Sequence, residues 1–439
     1  MTPLEDRATG CVAGAAVGDA LGGATEGWTP EQIATRYGGY VEGIVPPYNE
    51  DWANARPIAP YHKGDGHITD DTLMTHALIR VYEKAGGHLG AYSMAEYFVP
   101  ELMGERRWIP ELEAEALPLQ RIFLAEKWIV ARLHYGHVDP REAGVGNIVN
   151  CGAAMYVAPV GIVNAADPDA AYAEAIDLTG AHQSSYGREA AGVMAAAVAE
   201  AMRPGASFDS VVATCLRLAK DGTRAAIEAV CEAAAGLGHW DGSFETLRAA
   251  VRPFDTVADT YRDQGLGARR PSRVHSIEEL PLALGFLVVA KGDYRDTVLG
   301  GVNYGRDADS IASMGGAIAG ALGGLGSIPR EWVTQVAEAS RTDLEAPGRA
   351  IADVARKVHA ADTARRRTVE AAFASLDTFA DRADRADRAD RADRADRADR
   401  ADHADRADRA DHADHADRAD GGVRDGRGVR DGRDEHAGR

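Results

Sequence analysis

The chain is poor in cysteine and in aromatic residues. Its 439 residues include four cysteines, Cys11, Cys151, Cys215 and Cys231, and no two of them form a CxxC pair. Cysteines that lie far apart within alanine-rich sequence are typical of small buried side chains, so neither a disulfide framework nor a zinc finger is expected. Only 6% of the residues are aromatic, whereas alanine and glycine are abundant. This composition favours closely packed helices in a globular protein.

The chain also lacks the positive charge that broad nucleic-acid binding requires. Its formal net charge at pH 7 is −19, and a protein that contacts many backbone phosphates needs clustered lysine and arginine. We therefore expect no broad nucleic-acid binding. A small anionic ligand held by backbone N–H groups is compatible with this charge.

Long apolar runs are missing as well. The longest uncharged stretch of the C-terminal half, "SIASMGGAIAGALGGLGSIP", is broken by glycine, and its apolar part is shorter than the roughly 20 residues of a bilayer span. The N-terminal "MTPLEDRATG" carries acidic residues and no basic region before an apolar one, unlike a secretory signal. These features predict a cytoplasmic protein without a membrane segment.

The C-terminal part of the chain is a low-complexity repeat. "ADRADRADR" continues to Asp420, and a segment rich in Gly, Arg and Asp follows it. Alanine at every third position spirals around a helix and forms no apolar stripe, so this part cannot build a core. We predict a folded domain over residues 1–377 and a tail over residues 378–439 that is disordered or a solvated helix, which Asp(i)–Arg(i+4) pairs would support.

The first 377 residues have the pattern of an all-α domain. Gly14, Gly18 and Gly22 are spaced four apart, which would let another backbone approach one face of a helix. Thr29 and Gln32 around a proline predict a capped helix start. Strand signals are scarce, and Pro159 weakens even the best candidate, "MYVAPVGIV". Residues 36–66 show no helical period, which predicts a functional lid or a disordered insert.

Two acidic clusters stand where helices are predicted to begin. "GHITDDT" places Asp70 and Asp71 before an apolar helical pattern, and "NYGRDADS" places Asp307 and Asp309 before another. One interpretation is simple capping, because acidic residues in a first turn interact favourably with the helix dipole. The repetition of the pattern favours a second interpretation, in which both clusters bind something.

A cation is the ligand that such clusters would require. Converging carboxylates repel one another unless a cation neutralises them, and Mg²⁺ and Mn²⁺ prefer oxygen ligands. A pair of such ions about 3.5–4 Å apart is a recurrent hydrolytic device. His62 and His67 are not at ligand spacing with cysteine, which disfavours zinc. The spacing alone leaves open whether the two clusters meet.

Three segments carry a family resemblance. They are "GAAVGDALGGATE", "ITDDT" and "VNYGRDADSIASMGGAIAGALGG", in this order. Together they resemble the signature regions of the ADP-ribosylglycohydrolase family over about residues 8–340. The resemblance implies an all-α domain whose cleft holds two Mg²⁺ or Mn²⁺ ions. It also implies hydrolysis of the bond between the anomeric ribose carbon of ADP-ribose and an acceptor.

The resemblance assigns the metal ligands and the catalytic residues by position. The implied metal ligands lie at the two predicted helix starts. They are Thr69, Asp70, Asp71, Asp307, Asp309 and Ser310. Ser310 stands where the family often has threonine and keeps the hydroxyl group. Glu26 matches a family glutamate near the bound ribose. Glu26, Asp70 and Asp309 are therefore the candidate catalytic residues, with Glu26 or a ligand aspartate as base.

The resemblance and the glycine-rich start of the second cluster also suggest substrate contacts. The candidate substrate-binding residues are Asn150, Gly152, Met155, Tyr156, His182, Tyr304, Gly305 and Arg306. Tyr156 stands where the family commonly has arginine, which puts the diphosphate and acceptor contacts in doubt. His182 is either a ligand contact or a buried core histidine. Arg306 is either a partner of a phosphate or of the metal site, or an ordinary surface arginine.

The expected substrate is an ADP-ribosylated protein. Two alternatives stay open, namely the same metal chemistry on a small ribosylated metabolite and a non-catalytic ADP-ribose binder. A dinucleotide-binding fold is disfavoured because "GAAVGDALGG" follows no strand and lacks the GxGxxG spacing.

Overall fold

Helices make up almost all of the regular structure. A computed structural model describes residues 1–55, 61–255 and 277–415. The first helices along the chain are α1 (Pro3–Gly22), α2 (Pro30–Tyr37), α3 (Asp70–Ala85), α4 (Ala91–Ser93), α5 (Val99–Met103), α6 (Pro118–Arg121), α7 (Leu124–Val130), α8 (Ala158–Val163) and α9 (Pro168–Thr179). They are followed by α10 (Ser185–Ala201), α11 (Phe208–Leu218), α12 (Asp221–Ala235), α13 (Phe244–Val251), α14 (Glu279–Val289), α15 (Tyr294–Tyr304), α16 (Ala308–Gly323), α17 (Arg330–Ser340) and α18 (Ala346–His415). The all-α prediction is confirmed.

Short elements connect these helices. Single turns of π-helix cover Met94–Phe98 and Ala131–Tyr135, and single 3₁₀ turns cover Pro110–Leu112, Cys151–Ala153, Trp240–Gly242, Arg252–Phe254 and Leu325–Ser327. Within the described ranges there is one sheet, a two-stranded antiparallel ribbon of β1 (Arg107–Ile109) and β2 (Ala114–Ala116). The strand candidate "MYVAPVGIV" is wrong, because α8 begins at Ala158 and Pro159 occupies its first turn, where a missing N–H costs nothing.

The centre of the domain is the pairing of α1 with α16. Every residue of α1 from Ala8 to Gly22 is buried. The four-residue glycine spacing has the predicted consequence: a Cβ atom at Gly18 would lie 2.2 Å from the carbonyl oxygen of Ala312 in α16. The two backbones touch, and this contact places the C-terminal end of α1 beside the N-terminal end of α16.

The segment between α2 and α3 is irregular but attached to the domain. The capping box at the start of α2 is present as predicted, because Thr29 accepts from the Gln32 backbone and Gln32 bonds back to it. After α2, the Tyr48 N–H donates to the Ala24 carbonyl oxygen at 3.2 Å, and the Tyr48 ring stacks on Trp28. Residues 56–60 lie outside the described ranges.

The chain divides into two compact units, Met1–Asp362 and Thr363–Arg439. In the first unit, the beginning of α18 buries Ile351, Val354 and Val358. In the second unit, α18 continues with exposed residues over 364–376 and 383–406. Asp–Arg pairs four residues apart, such as Asp387–Arg391 at 2.9 Å, accompany this part of the helix. Residues 416–439, with the Gly/Arg/Asp-rich end of the predicted tail, lie outside the described part.

None of the helices in the described part of the chain combines the length and the apolar character that crossing a bilayer demands.

Candidate functional site

The starts of α3 and α16 meet at one cleft. Its walls are formed by Glu26, His62, Asp70, Asp71, Arg121, Phe123, Glu126, Asn150, Cys151, Met155, Asp307, Asp309 and Ser310. The structure therefore brings both acidic clusters together with Glu26, which is the arrangement that spacing alone left open.

Capping and cleft formation coexist at the start of α3. The Thr69 hydroxyl accepts the Asp71 N–H at 3.4 Å and so caps the helix. The Phe123 N–H donates to Asp70 Oδ2 at 2.8 Å and fixes that carboxylate. Asp71 is 2% exposed, and its Oδ1 atom has no hydrogen-bond partner within residues 1–55, 61–255 and 277–415. A buried carboxylate oxygen without a donor is costly unless a cation binds it.

The start of α16 contributes the opposite wall. Asp307 occupies the N-cap position, but its side chain does not cap the helix. The Ser310 N–H donates to Asp309 Oδ1 at 3.0 Å, which leaves the other Asp309 oxygen for the cleft. Cys151 Sγ lies 3.6 Å from Asp307 Oδ2. All four cysteines are free and buried, as expected, but Cys151 also lines the cleft.

Asp19 is a buried acidic residue close to Asp71 and Asp309 that the sequence analysis missed. It lies near the end of α1, is fully buried, and accepts hydrogen bonds from the backbone and hydroxyl groups of both Thr69 and Thr72. The Thr69 hydroxyl donates to Asp19 Oδ1 at 2.6 Å. Burial raises the pKa of Asp19 to about 6, against the lowering effect of the threonine donors. Asp19 thereby ties the start of α3 to α1.

A histidine network on the loop before α3 was missed as well. His62 Nε2 lies 2.9 Å from Asp309 Oδ2 and 3.3 Å from Glu26 Oε2. On the other side of the ring, His62 Nδ1 lies 3.2 Å from Glu111 Oε1, and Arg121 Nη2 is 2.5 Å from Glu111 Oε2. The sequence spacing gave no sign of these contacts, since the sequence analysis considered His62 only for its spacing to cysteine.

Electrostatic repulsion dominates the cleft. Burial, followed by the charges of Asp309, Asp19, Asp70 and Asp307, raises the pKa of Asp71 well above its ordinary value. Burial and the charge of Glu26 also raise the pKa of Asp309, while His62 opposes that rise. Among the described residues, three groups of side chains have potential metal-binding atoms within 4.8 Å of one another: Glu26–His62–Asp309, Cys151–Glu279–Asp307 and Asp19–Asp71–Asp309. Divalent cations fit this donor set because they remove the repulsion and supply Asp71 Oδ1 with a partner.

Some candidate substrate residues lie at the cleft and others support it. Asn150 and Met155 are part of the wall. Gly152 lies close behind it, since a Cβ atom there would be 2.2 Å from Glu126 Oε1. The Tyr156 hydroxyl donates to His182 Nδ1 at 3.0 Å, and His182 Nε2 donates to the Ala125 carbonyl oxygen at 3.1 Å. Both rings are fully buried, which for His182 matches the interpretation as a core histidine.

The remaining candidates lie at or beside a second cavity. Tyr304 and Arg306 line it together with Trp28, and Gly305 has a positive φ of 72° beside the Trp28 carbonyl group. The Tyr304 hydroxyl donates to Glu278 Oε1 at 2.8 Å, and Arg306 Nη2 donates to Glu278 Oε2 at 2.9 Å. Arg306 is 9% exposed, so it is not an ordinary surface arginine.

Comparison with known proteins gives consistent matches over the first unit. The family model of the ADP-ribosylglycohydrolases matches residues 1–368. An uncharacterised protein of Archaeoglobus fulgidus is 29% identical over 337 residues, covering 75% of this chain and 91% of that protein. The ADP-ribosylarginine hydrolase Tri1 of Pseudomonas putida is 26% identical over 347 residues, covering 77% of this chain and 76% of that protein.

A solved structure shares the fold. It is described as an ADP-ribosylglycohydrolase-related protein complex and superimposes with a TM-score of 0.54 at 21% identity, covering 81% of this chain and all of that chain. Both acidic helix starts line one cleft, and both lie within residues 1–368, which the family model matches. This chain belongs to the ADP-ribosylglycohydrolase family of hydrolases.

Proposed function

We propose that the chain is a metal-dependent hydrolase that cleaves the glycosidic bond between ADP-ribose and a protein side chain. The observation that carries the proposal is the meeting of both acidic helix starts and Glu26 at one buried cleft. The relative from Pseudomonas putida is named for hydrolysis of ADP-ribosylarginine, which supports a protein side chain as the acceptor.

The proposed cofactor is a pair of divalent cations, Mg²⁺ or Mn²⁺. The residues that would hold them are Thr69, Asp70, Asp71, Asp307, Asp309 and Ser310. This assignment is supported by the oxygen-rich donor set and by Asp71 Oδ1, which has no hydrogen-bond partner in the described part of the chain. When bound, such ions polarise ribose hydroxyl groups and lower the pKa of a water molecule.

The protein groups would perform the proton transfer and the positioning. Glu26 is 3% exposed and lines the cleft, so its carboxylate can accept the proton of the attacking water. Asp70 and Asp309 would keep the ribose of the substrate in a fixed position. Their own carboxylates are fixed by hydrogen bonds from the Phe123 and Ser310 N–H groups. The bond between the anomeric carbon and the acceptor side chain breaks. The side-chain atom that formed this bond must then take up a proton.

The outer substrate contacts are proposed from the wall of the cleft. Asn150 and Met155 line the cleft. Gly152 leaves room for Glu126, because a side chain at this position would collide with Glu126 Oε1. Tyr156 and His182 would shape this wall from behind through their mutual hydrogen bond. Tyr304, Gly305 and Arg306 would act from the second cavity, where Tyr304 and Arg306 are both held by Glu278.

Substitution of the cleft carboxylates tests the proposal. Asp70→Asn and Asp309→Asn should abolish release of ADP-ribose from an ADP-ribosylated protein and weaken Mn²⁺ binding, because each removes a charged ligand. Asp209→Asn is the matched control, since Asp209 is also an acidic residue in a first helical turn but is exposed. Full activity in either cleft variant would contradict the metal mechanism.

A small ribosylated metabolite is the second candidate substrate. The observation that favours it is Tyr156, which stands at the family's arginine position and directs its hydroxyl group to His182. A panel of ADP-ribosyl-arginine protein, ADP-ribosyl-serine protein and free ribosylated small molecules, each with Mg²⁺, Mn²⁺ or chelator, separates the two. Cleavage of none of these in the presence of metal would contradict both and leave a non-catalytic ADP-ribose binder.

A further inference from the structure

The imidazole of His62 lies inside the cleft and points one nitrogen at two carboxylates. His62 Nε2 is 2.9 Å from Asp309 Oδ2 and 3.3 Å from Glu26 Oε2. The ring is 7% exposed. The three groups come from different parts of the fold: the loop before α3, the start of α16 and the segment after α1. Such convergence of one nitrogen and two oxygen donors has the composition of a transition-metal site.

The second ring nitrogen makes the contact that metal-binding histidines usually make. His62 Nδ1 lies 3.2 Å from Glu111 Oε1, and Glu111 is itself fixed by the Lys63 N–H at 2.8 Å and by Arg121 Nη2. A histidine ligand commonly donates its outer N–H to a carboxylate, which orients the ring and leaves the inner nitrogen as the donor to the metal. In this tautomer the lone pair of Nε2 faces Glu26 and Asp309.

The opposite tautomer has a different consequence. Arg121 Nη2 lies 2.8 Å from His62 Nδ1. If Nδ1 accepted that hydrogen bond, Nε2 would carry the proton and would donate to Asp309 without binding a metal. The two arrangements differ in an observable quantity, namely a bond between nitrogen and metal.

The loop that carries His62 is held by aromatic stacking. Trp28 stacks on Tyr48 with 3.7 Å between ring centroids and on Tyr61 with 5.7 Å. Tyr61 directly precedes His62, and Trp28 follows Glu26 by two residues. The stack therefore ties the histidine to the segment that supplies one of the carboxylates, which holds the donor geometry before any ligand binds.

A second observation in the same cavity calls for a cation. Asp309 belongs both to the group with His62 and Glu26 and to the group with Asp19 and Asp71. In the latter group, Asp71 Oδ1 has no hydrogen-bond partner among the described residues. Two neighbouring cation positions that share Asp309 would satisfy both groups.

We propose that His62 Nε2, Asp309 and one carboxylate oxygen of Glu26 bind one divalent first-row transition ion, so that this position prefers Zn²⁺ or a similar ion to Mg²⁺, and the other Glu26 oxygen is left to accept a proton. The inference rests on the metal centre of the proposed function and gives one of its two positions a nitrogen ligand. Imidazole binds such transition ions well, whereas Mg²⁺ favours oxygen ligands and water. The metal preference of the cleft then depends on a residue outside the two acidic helix starts.

Metal binding to the full chain, freed of metal by chelation, tests the proposal without an activity assay. Pulsed electron paramagnetic resonance of bound Mn²⁺ should show coupling to a histidine nitrogen in the wild type. His62→Gln should remove this coupling and lower Zn²⁺ affinity by about 100-fold or more, because loss of an outer-shell partner alone costs about 10- to 100-fold. Mg²⁺ affinity should change far less, so the ratio of the two affinities is the deciding quantity.

Two further variants guard against a purely structural effect. His67→Gln is the matched control, because His67 lies on the same loop, is also buried, and bonds through Nδ1 to the Gly64 carbonyl oxygen at 2.9 Å. It should retain the nitrogen coupling and the Zn²⁺ affinity. Glu111→Gln keeps the shape of the outer partner but not its charge, and it should lower Zn²⁺ affinity about 10- to 100-fold with His62 still present.

The results distinguish this inference from the proposed function. Nitrogen coupling that disappears only in His62→Gln supports the inference, whether or not any ADP-ribosyl bond is cleaved. Hydrolysis together with bound Mn²⁺ that shows no nitrogen coupling in the wild type overturns the inference and leaves the hydrolase proposal standing. Absence of divalent-ion binding in the wild type overturns it too.

Discussion

Asp19 shows how a single buried charge can organise the cleft without being its most obvious member. Its two oxygens accept four hydrogen bonds from Thr69 and Thr72, and those residues flank Asp70 and Asp71. The carboxylate is fully buried, so these donors replace the water that it has lost. Asp19 is therefore a positioning residue for the first acidic cluster.

Asp19→Asn should weaken metal binding while the fold persists. The amide has one acceptor oxygen and places an NH₂ group against threonine donors, so the start of α3 loses its fixed orientation. We expect about a 10- to 100-fold loss of Mn²⁺ affinity, as for other outer partners of metal ligands, measured by titration calorimetry. Asp6→Asn, at the other end of α1, is the control. Equal metal affinity in Asp19→Asn and the wild type would remove the positioning role.

His182 predicts a pH dependence of stability. Burial lowers its pKa to about 3, from an unfolded value of about 6.5. Between these values the unfolded chain binds a proton that the folded protein does not, so the free energy of unfolding decreases as the pH falls below about 6.5. For this one group, the loss between pH 7 and pH 5 is on the order of 2 kcal/mol.

Urea denaturation at pH 7 and pH 5 measures the effect of His182. The difference between the two pH values should be about 2 kcal/mol smaller in His182→Gln than in the wild type, because the titrating group is gone. His134→Gln, at an exposed position, should leave the difference unchanged. An unaltered difference in His182→Gln would contradict the buried neutral state.

At the residue scale, sequence patterns revealed local chemistry but not distant partners. The acidic residues at the starts of α3 and α16 were predictable because each cluster directly precedes an apolar helical pattern, and because this arrangement occurs twice in the sequence. Asp19, His62 and Glu111 were not, since their roles arise only when α1, a loop and a 3₁₀ turn meet. No short-range pattern encodes such meetings.

At the element scale, the contact between α1 and α16 determines where the site forms. The glycine spacing of α1 predicted a close backbone approach, and the structure identifies α16 as the partner. For the strand candidate "MYVAPVGIV", by contrast, the local sequence pattern was misleading. Its β-branched residues suggest a strand, but all of α8 is buried among helices, and tertiary packing overrides such weak preferences.

Gly18→Ala should destabilise the protein although alanine is the better helix former. The new methyl group would lie 2.2 Å from the Ala312 carbonyl oxygen, so α1 and α16 must separate. We expect a net loss of about 1–3 kcal/mol in the free energy of unfolding, measured by urea denaturation. Gly236→Ala is the control, since a Cβ atom there meets nothing within 4 Å. Stability equal to the wild type in Gly18→Ala would contradict the close contact.

At the scale of the whole molecule, the acidic charge belongs to the first part of the chain. Residues 381–439 contain 18 acidic residues and 15 arginines, a net charge of −3, so −16 of the total −19 lies before them. The repeat is nearly balanced in charge and, over residues 383–406, fully exposed. We propose that residues 1–377 form the catalytic domain and that residues 378–439 are a separate tail.

A chain that ends after residue 377 should keep its fold and its activity. Its melting temperature should stay within about 2 °C of that of the full chain, because the residues removed belong to the second compact unit and are exposed where the structure describes them, over 383–406. A chain that ends after residue 345 is the control and should fail to fold, because it lacks Ile351, Val354 and Val358. If the chain ending after residue 377 folds but is inactive, the tail has a role in catalysis and the proposed division is wrong.

The pairing of α1 with α16 also has a consequence for how the protein is made. α1 ends at Gly22 and α16 begins at Ala308, so one of these neighbours leaves the ribosome long before the other. At about 5–20 residues per second, the first helix waits roughly 15 to 60 s for its partner. During that interval the glycine-rich face of α1 that packs against α16 lacks its native partner. Slowing translation should therefore increase the dependence of the nascent chain on chaperones, and the cleft can form only after the start of α16 at Ala308 has been synthesised.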